Sequence, residues 1–284
     1  MLYNFLTVHP TPPPAMAAAL AGVVGVEPSA VDVADEETDP EERDWDAPVL
    51  CAHHPVLGDV SVSWDVYVSE SVAGPPAEAA AALAVALSTG TTVLYPAEGI
   101  RPSAYWAAAP DGTVTRVRVL GEDGEEEDDG PFTLTVQASE APLAQLPSAV
   151  VMLLPEVYRD EELPTELADS LPAADRDSPE ERARVLLGCW ERLVRRAASD
   201  WAPSGNYPQE LYLQDLERRD ELADALAVCP ADLRAPFDEA AHLLDDVFRA
   251  HTEDDAGRLT GSPGSRAWWW HRRPDRVPWD GYQS

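Results

Sequence analysis

The sequence predicts an α+β fold in two parts. A mixed N-terminal domain with a mainly antiparallel sheet precedes a C-terminal α-helical domain closed by a Trp-rich strap. Three observations carry this. Val60-Ser61-Val62-Ser63-Trp64-Asp65-Val66-Tyr67-Val68 alternates apolar and polar residues, the mark of a half-buried strand with Val60, Val62, Trp64, Val66 and Val68 inward. From Ser178 the pattern turns helical, opened by Ser178-Pro179-Glu180-Glu181, an N-cap, a first-turn proline and a capping-box acid. At the far end, Ala267–Trp279 holds four of the nine Trp, three Arg and one His. Aromatic side chains of that size bury large areas, so the strap is expected to dock on the helices rather than hang in water.

In chain order, Leu2–Val8 reads as a strand stopped by Pro10 and Pro12-Pro13-Pro14, and Ala15–Val24 as a helix ending at Gly22 or Gly25. Ser29–Val33 and Val49–His53 are short strands flanking residues 35–46, where eight of twelve side chains are acidic and a solvated loop is expected. Glu78–Leu87 returns to helix, closed by Gly90, and Thr91–Tyr95 to strand. Ala104–Ala109 and Thr113–Leu120 form a hairpin through Pro110-Asp111-Gly112, and Phe132–Val136 alternates after the acidic residues 122–129. This assigns residues 1–140 to the first domain.

Residues 141–177, rich in Pro, Ala and acid, read as a connection with one apolar island at Val150–Leu154. Residues 178–284 make the helical domain. Leu186, Trp190, Leu193, Val194, Ala197 and Trp201 recur at helical spacing, Pro208–Val228 forms a second helix before Cys229-Pro230, and Ala235–His251 a third. Three antiparallel helices closed by the strap are the simplest arrangement.

Charge bounds the function. Fifty-two acids face twenty bases, every one an Arg, for a net charge of −32. The absence of Lys, with abundant Ala, Pro, Gly and Asp, is what a GC-rich genome such as an actinobacterial one produces. Residues 1–150 carry 24 acids and 4 Arg, or −20, and residues 151–284 carry 28 acids and 16 Arg, or −12. Such a field repels nucleic acid and anionic membrane and speeds encounter with basic proteins, so no direct nucleic-acid or membrane partner is expected. Cys51, Cys189 and Cys229 are odd in number and lack a CxxC pair, which points to free thiols in a reducing compartment. With no base before Arg43 to form a secretory n-region, a cytoplasmic location is expected.

No phosphate loop, dinucleotide fingerprint, GxSxG elbow or HExxH is present, and Ser88-Thr89-Gly90-Thr91-Thr92 lacks the Lys of a phosphate cradle. Cys51, His53 and His54 lack a second ligand pair for zinc and read as a core thiol beside strand-end histidines. Asp238, His242, Asp245 and Asp246 share one helical face suited to a metal or to acid–base work, but opposite the apolar stripe a solvated face is expected. No metal and no cofactor are expected. Arg219 falls in register with Tyr212, Leu216, Ala223 and Leu226, so it is expected to point inward and pair with Asp220, Asp215 or an acid of the third helix. Asp35, Glu36 and Glu37 in one acidic run, and Glu125, Glu126, Glu127, Asp128 and Asp129 in the other, are the candidate partner-binding residues. Trp268, Trp269, Trp270, Arg273 and Trp279 are the candidate strap contacts.

Tyr207–Leu222, Leu244–Thr252 and Trp269-Trp270-His271-Arg272-Arg273-Pro274 are similar in rhythm to helical domains of immunity-like proteins from polymorphic toxin systems. Val26–Val33 resembles actinobacterial proteins of the same kind. The resemblance implies a non-catalytic cytoplasmic protein that binds a basic partner, a toxin domain, and it carries no catalytic residues. A regulatory or structural interaction protein is the alternative, and a metal-dependent enzyme using Asp238, His242 and Asp246 a further one.

Overall fold

The computed structural model of the chain describes residues 1–97, 101–121, 132–176, 178–261 and 264–282. The fold is α+β, and the chain divides into two compact units, Met1–Leu154 and Pro155–Ser284.

The first unit is built on one mixed, mainly antiparallel sheet. The first strand, β1 (Leu2–Thr7), lies at its middle, antiparallel to β5 (Val62–Val68) on one side and to β6 (Val93–Pro96) on the other. Beyond β5 come β3 (Val49–Pro55) and, parallel to it, the edge strand β2 (Val31–Asp35). Beyond β6 come β7 (Ala104–Ala108), β8 (Val114–Gly121), β9 (Thr133–Ser139) and the two-residue β10 (Val150–Val151).

The two-residue period of β1 feeds two separate cores. Tyr3 and Phe5 point to helices α1 (Pro13–Val24) and α2 (Glu78–Thr89), into a core with Met16, Leu20, Trp64 and Val85. Leu6 points the other way, to a core with Leu94, Val117, Val119, Val136 and Leu146. Both helices stop at a left-handed glycine, Gly25 and Gly90, whose N–H returns to the last turn.

The second core is enclosed because the sheet curls on itself. Between β3 and β5 the chain makes an excursion, β4 (Leu57–Gly58), that pairs parallel to β9 at the far side of the sheet. Leu57 N donates to Phe132 O, Asp59 N to Leu134 O, and the Asp59 carboxylate accepts from Val136 N, all at 2.8 Å. Val60 therefore departs from the alternation of β5: it sits in this second core with Val56, while Trp64, Val66 and Val68 face the helices. Residues 141–149 lid the same core with Leu143, Leu146 and Ala149, pinned by Gln145, which accepts from Thr92 N and donates to Gly90 O.

The second unit packs α5 (Pro179–Ala198) against α6 (Gln209–Val228) and α7 (Ala231–Ala250). Ser178 caps α5, its hydroxyl accepting from Glu181 N at 3.2 Å. Two short helices, α3 (Pro155–Asp160) and α4 (Glu166–Ser170), precede it inside the stretch that reads from sequence as a connection. The Glu191 carboxylate, fully buried on α5, accepts from the N–H groups of Leu167 and Ala168 and so holds the start of α4. The strap docks: after a 3-10 turn, Trp268–His271, strand β12 (Arg272–Pro274) pairs antiparallel with β11 (Thr252–Asp254). Trp269, Trp270 and Trp279 are buried, and Trp279 tilts against Tyr212 at 5.3 Å. Among the described residues no helix is long and apolar enough to cross a membrane.

Candidate functional site

The acidic segment between β2 and β3 owes its course to their parallel pairing. The chain leaves the end of β2 and must travel back along the sheet to begin β3. Asp35 closes β2, and its carboxylate accepts from Glu37 N at 3.0 Å while standing 3.7 Å from His53 Nδ1 across the strand pair. Glu36 lies 3.3 Å from His54 Nδ1. Asp39 then caps a 3-10 turn, Pro40–Glu42, by accepting from Glu41 N. Two of the three predicted acids of this run thus lie against the histidines of β3, and Glu37 is exposed. Glu125, Glu126, Glu127, Asp128 and Asp129 lie outside the described residues.

Trp45 gives this segment a feature beyond charge. The residue is 58% exposed, yet its side chain is held: Nε1 donates to Pro40 O at 2.8 Å and the Arg43 guanidinium lies 5.0 Å from the ring centre. Arg43 is itself anchored, to the Asp32 carboxylate at 2.8 Å and to Cys51 O at 3.3 Å. Glu41, Glu42, Asp44 and Asp46 around it are exposed, and Arg43 is the one base between residues 36 and 48. The result is a fixed aromatic flanked along the chain by exposed carboxylates. In the sequence the acids stand out by number, whereas Trp45, in Arg43-Asp44-Trp45-Asp46, carries no periodic signal.

Cys51 is a core thiol. It is buried, and burial pushes its thiol up to about 12, so it is protonated at neutral pH and a poor nucleophile. His53 tilts against the buried Trp64 at 5.0 Å.

In the second unit the candidate residues are engaged with one another. Arg219 points inward and forks onto Asp245 of α7 at 3.1 and 2.8 Å, beneath the ring of Trp269 at 4.3 Å. Asp245 also accepts from Trp190 Nε1, so it turns to the core while Asp238 and Asp246 face out. Asp220 accepts from both Trp269 Nε1 and Trp270 Nε1, at 2.8 and 2.9 Å. Asp215 accepts from the Tyr207 hydroxyl at 2.7 Å, and burial pushes its carboxyl up to about 6 against the pull of that hydroxyl and of Arg196, Arg192 and Arg218. Arg219 and Asp220 thus meet at Trp269, one at its ring and the other at its indole N–H, whereas Asp215 holds Tyr207.

The strap's cations are likewise turned to the body. Arg272 bonds Thr252 and Arg249 O, Arg273 meets Glu253 at 2.8 Å, and Arg276 meets Asp200 at 2.6 Å. Trp268, half-buried, carries Arg249 over its ring at 3.7 Å. On the outer face of α7, Asp238 pairs with Arg234 and Asp246 with Arg249, while His242 Nδ1 faces Asp238 O. Among the described residues no three His, Cys, Asp or Glu side chains are grouped to hold a metal.

The chain matches no protein-family model, no curated protein and no solved structure. Function therefore rests on the geometry alone.

Proposed function

We propose that this is a non-catalytic acidic binding protein that neutralises a basic protein by occupying its surface, in the way of an immunity or antitoxin-like protein acting on a toxin domain in the cytoplasm. The observation that carries the reading is where the arginines lie. Among the described residues, eleven of the sixteen Arg in the second unit lie within 3.8 Å of a carboxylate of that unit. The first unit sets four Arg against twenty-four acids, and Arg43 is fixed on Asp32. Its acidic field is left for something outside the unit, and a cationic protein is the complement. The enzyme alternative draws on Asp238 and Asp246, each of which already faces an arginine.

The test is affinity capture of the tagged protein from its own cells at low ionic strength, followed by a salt gradient. One basic protein leaving at moderate salt is expected, since exposed charges are screened beyond about 10 Å at 0.1 M salt. That protein is then expressed alone and together with this chain. Growth arrest relieved by co-expression supports neutralisation, and a partner harmless on its own turns the reading to regulation. Exchanging Glu125–Asp129 for Gln and Asn slows association if that run steers encounter; an unchanged on-rate removes it from the reading.

A further inference from the structure

The register of the sheet places a row of side chains on the face turned away from α1 and α2. Leu2 opposes Tyr67, Tyr67 opposes Leu50, and Leu50 opposes Asp32, so all four stand on one face across four strands. That row spans about 15 Å at the usual strand spacing. It continues into the acidic segment, because Asp32 holds Arg43 and Arg43 lies against Trp45. Toward β6 the same face becomes the second core, where Leu6 and Leu94 are covered; at Leu2 and Tyr67 the cover stops. Leu2 is 68% exposed and Tyr67 45% exposed. Asp65, beside Tyr67 on the same face, is an exposed acid, as are Asp44 and Asp46 beside Trp45.

We infer that the ridge Leu2–Tyr67–Leu50–Trp45 is the docking surface for the basic partner, with its apolar centre on the ridge and its cationic side chains on the acidic rim. The inference rests on the proposed binding function and locates it. Leu50 is half-buried, and Asp32 and Arg43 link it to Trp45; exposed apolar side chains among polar ones are the anatomy of an interface, and Trp and Tyr are the side chains that most often dominate one. Trp45 is already fixed by its hydrogen bond and by Arg43, so little side-chain freedom is lost when a partner covers it. Charge selects the occupant. A second copy of a −32 chain would set the same acids against each other, and nucleic acid or anionic lipid would be repelled in the same way. An arginine or lysine side chain can instead lie on the Trp45 or Tyr67 ring and reach Asp46 or Asp65.

The experiment places the photo-crosslinking residue benzoylphenylalanine at Tyr67, and in separate variants at Leu87 on α2 and Leu243 on α7, both of which are exposed. Each full-length variant is irradiated in its own cells. Expected is a cross-link from position 67, and from neither control, to a protein of high isoelectric point. Once purified, that protein binds the unmodified chain and loses about tenfold or more in affinity to Tyr67→Ala and to Trp45→Ala, with Leu87→Ala unchanged. Two separate exposed positions guard against one variant failing to fold, which circular dichroism checks. A basic protein cross-linked only from a control position, or bound equally by Tyr67→Ala and Trp45→Ala, overturns the ridge and leaves the binding function standing. A cross-link from position 67 to a second copy of the chain overturns the choice of occupant. No cross-link from any position overturns ridge and function together.

Discussion

Arg219 and Asp245, 26 residues apart on α6 and α7, form a two-bond fork at 3.1 and 2.8 Å with both side chains under a tenth exposed. Breaking a buried pair from one side leaves an uncompensated charge, which costs about 3–5 kcal/mol. Asp245→Ala is expected to fall in that range in urea unfolding of the full chain. Arg219→Met combined with Asp245→Leu should cost less than the two single changes summed.

Asp220 links α6 to the strap through two indole N–H groups. Hydrogen bonds to a charged group contribute roughly 1.5–3 kcal/mol each, so Asp220→Ala should destabilise by about 3 kcal/mol. It should also loosen Trp269 and Trp270 specifically. Red-shifted Trp emission and earlier proteolytic cleavage between α7 and the strap are the readouts.

Asp215 has its folded pKa raised to about 6 by burial, above the ordinary carboxylate value. The folded state therefore binds a proton more readily than the unfolded one. From this group alone, stability rises as pH falls through about 6 and levels off near the unfolded value of about 4, by at most about 1.4 kcal/mol per pH unit. Asp215→Asn should thus be more stable than the parent at pH 7.5, and the gap should close by pH 4.5. Denaturant midpoints at the two pH values check this; a gap that widens on acidification contradicts it.

Gly58 closes the curl of the sheet. Its φ of +98° suits glycine alone, and a Cβ there would stand 2.3 Å from Leu134 O. Gly58→Ala should cost about 2 kcal/mol or more and release the β4–β9 pairing first. Faster exchange of the Leu57 and Asp59 amides, with those of β1 and β5 unchanged, is the expected signature.

What was legible in the sequence was local. The alternation around Trp64 and the Ser178–Glu181 cap each state their structure within a few residues: α5 starts at the cap, and β5 covers Val62–Val68 of the alternation, with Val60 alone turned to the second core. Distant closures were not legible. Leu57-Gly58 is too short to announce a strand, and it becomes one only because β9, 76 residues on in the register, lies beside it. The helix α4 is five residues long and is held by Glu191 from α5, so no periodicity could reveal it. For Arg219 the inward direction was readable from spacing, but the choice among its acids depended on how α7 packs. At the candidate site the acids were conspicuous by composition, whereas the row from Leu2 to Leu50 exists only through strand register.

The position of the strap along the chain carries one more consequence, for synthesis. Helices α5, α6 and α7 emerge first, with Tyr212 and Arg219 turned toward places that Trp279 and Trp269 have yet to fill. Until residue 279 is made, the helical unit presents an incomplete apolar interior, while the sheet unit has all of its strands and can fold during translation. A message cut short before Trp268 would yield a protein with its acidic half assembled and its helical half open to proteases. The Trp-rich strap thus closes the helical interior only after all three of its helices have been made.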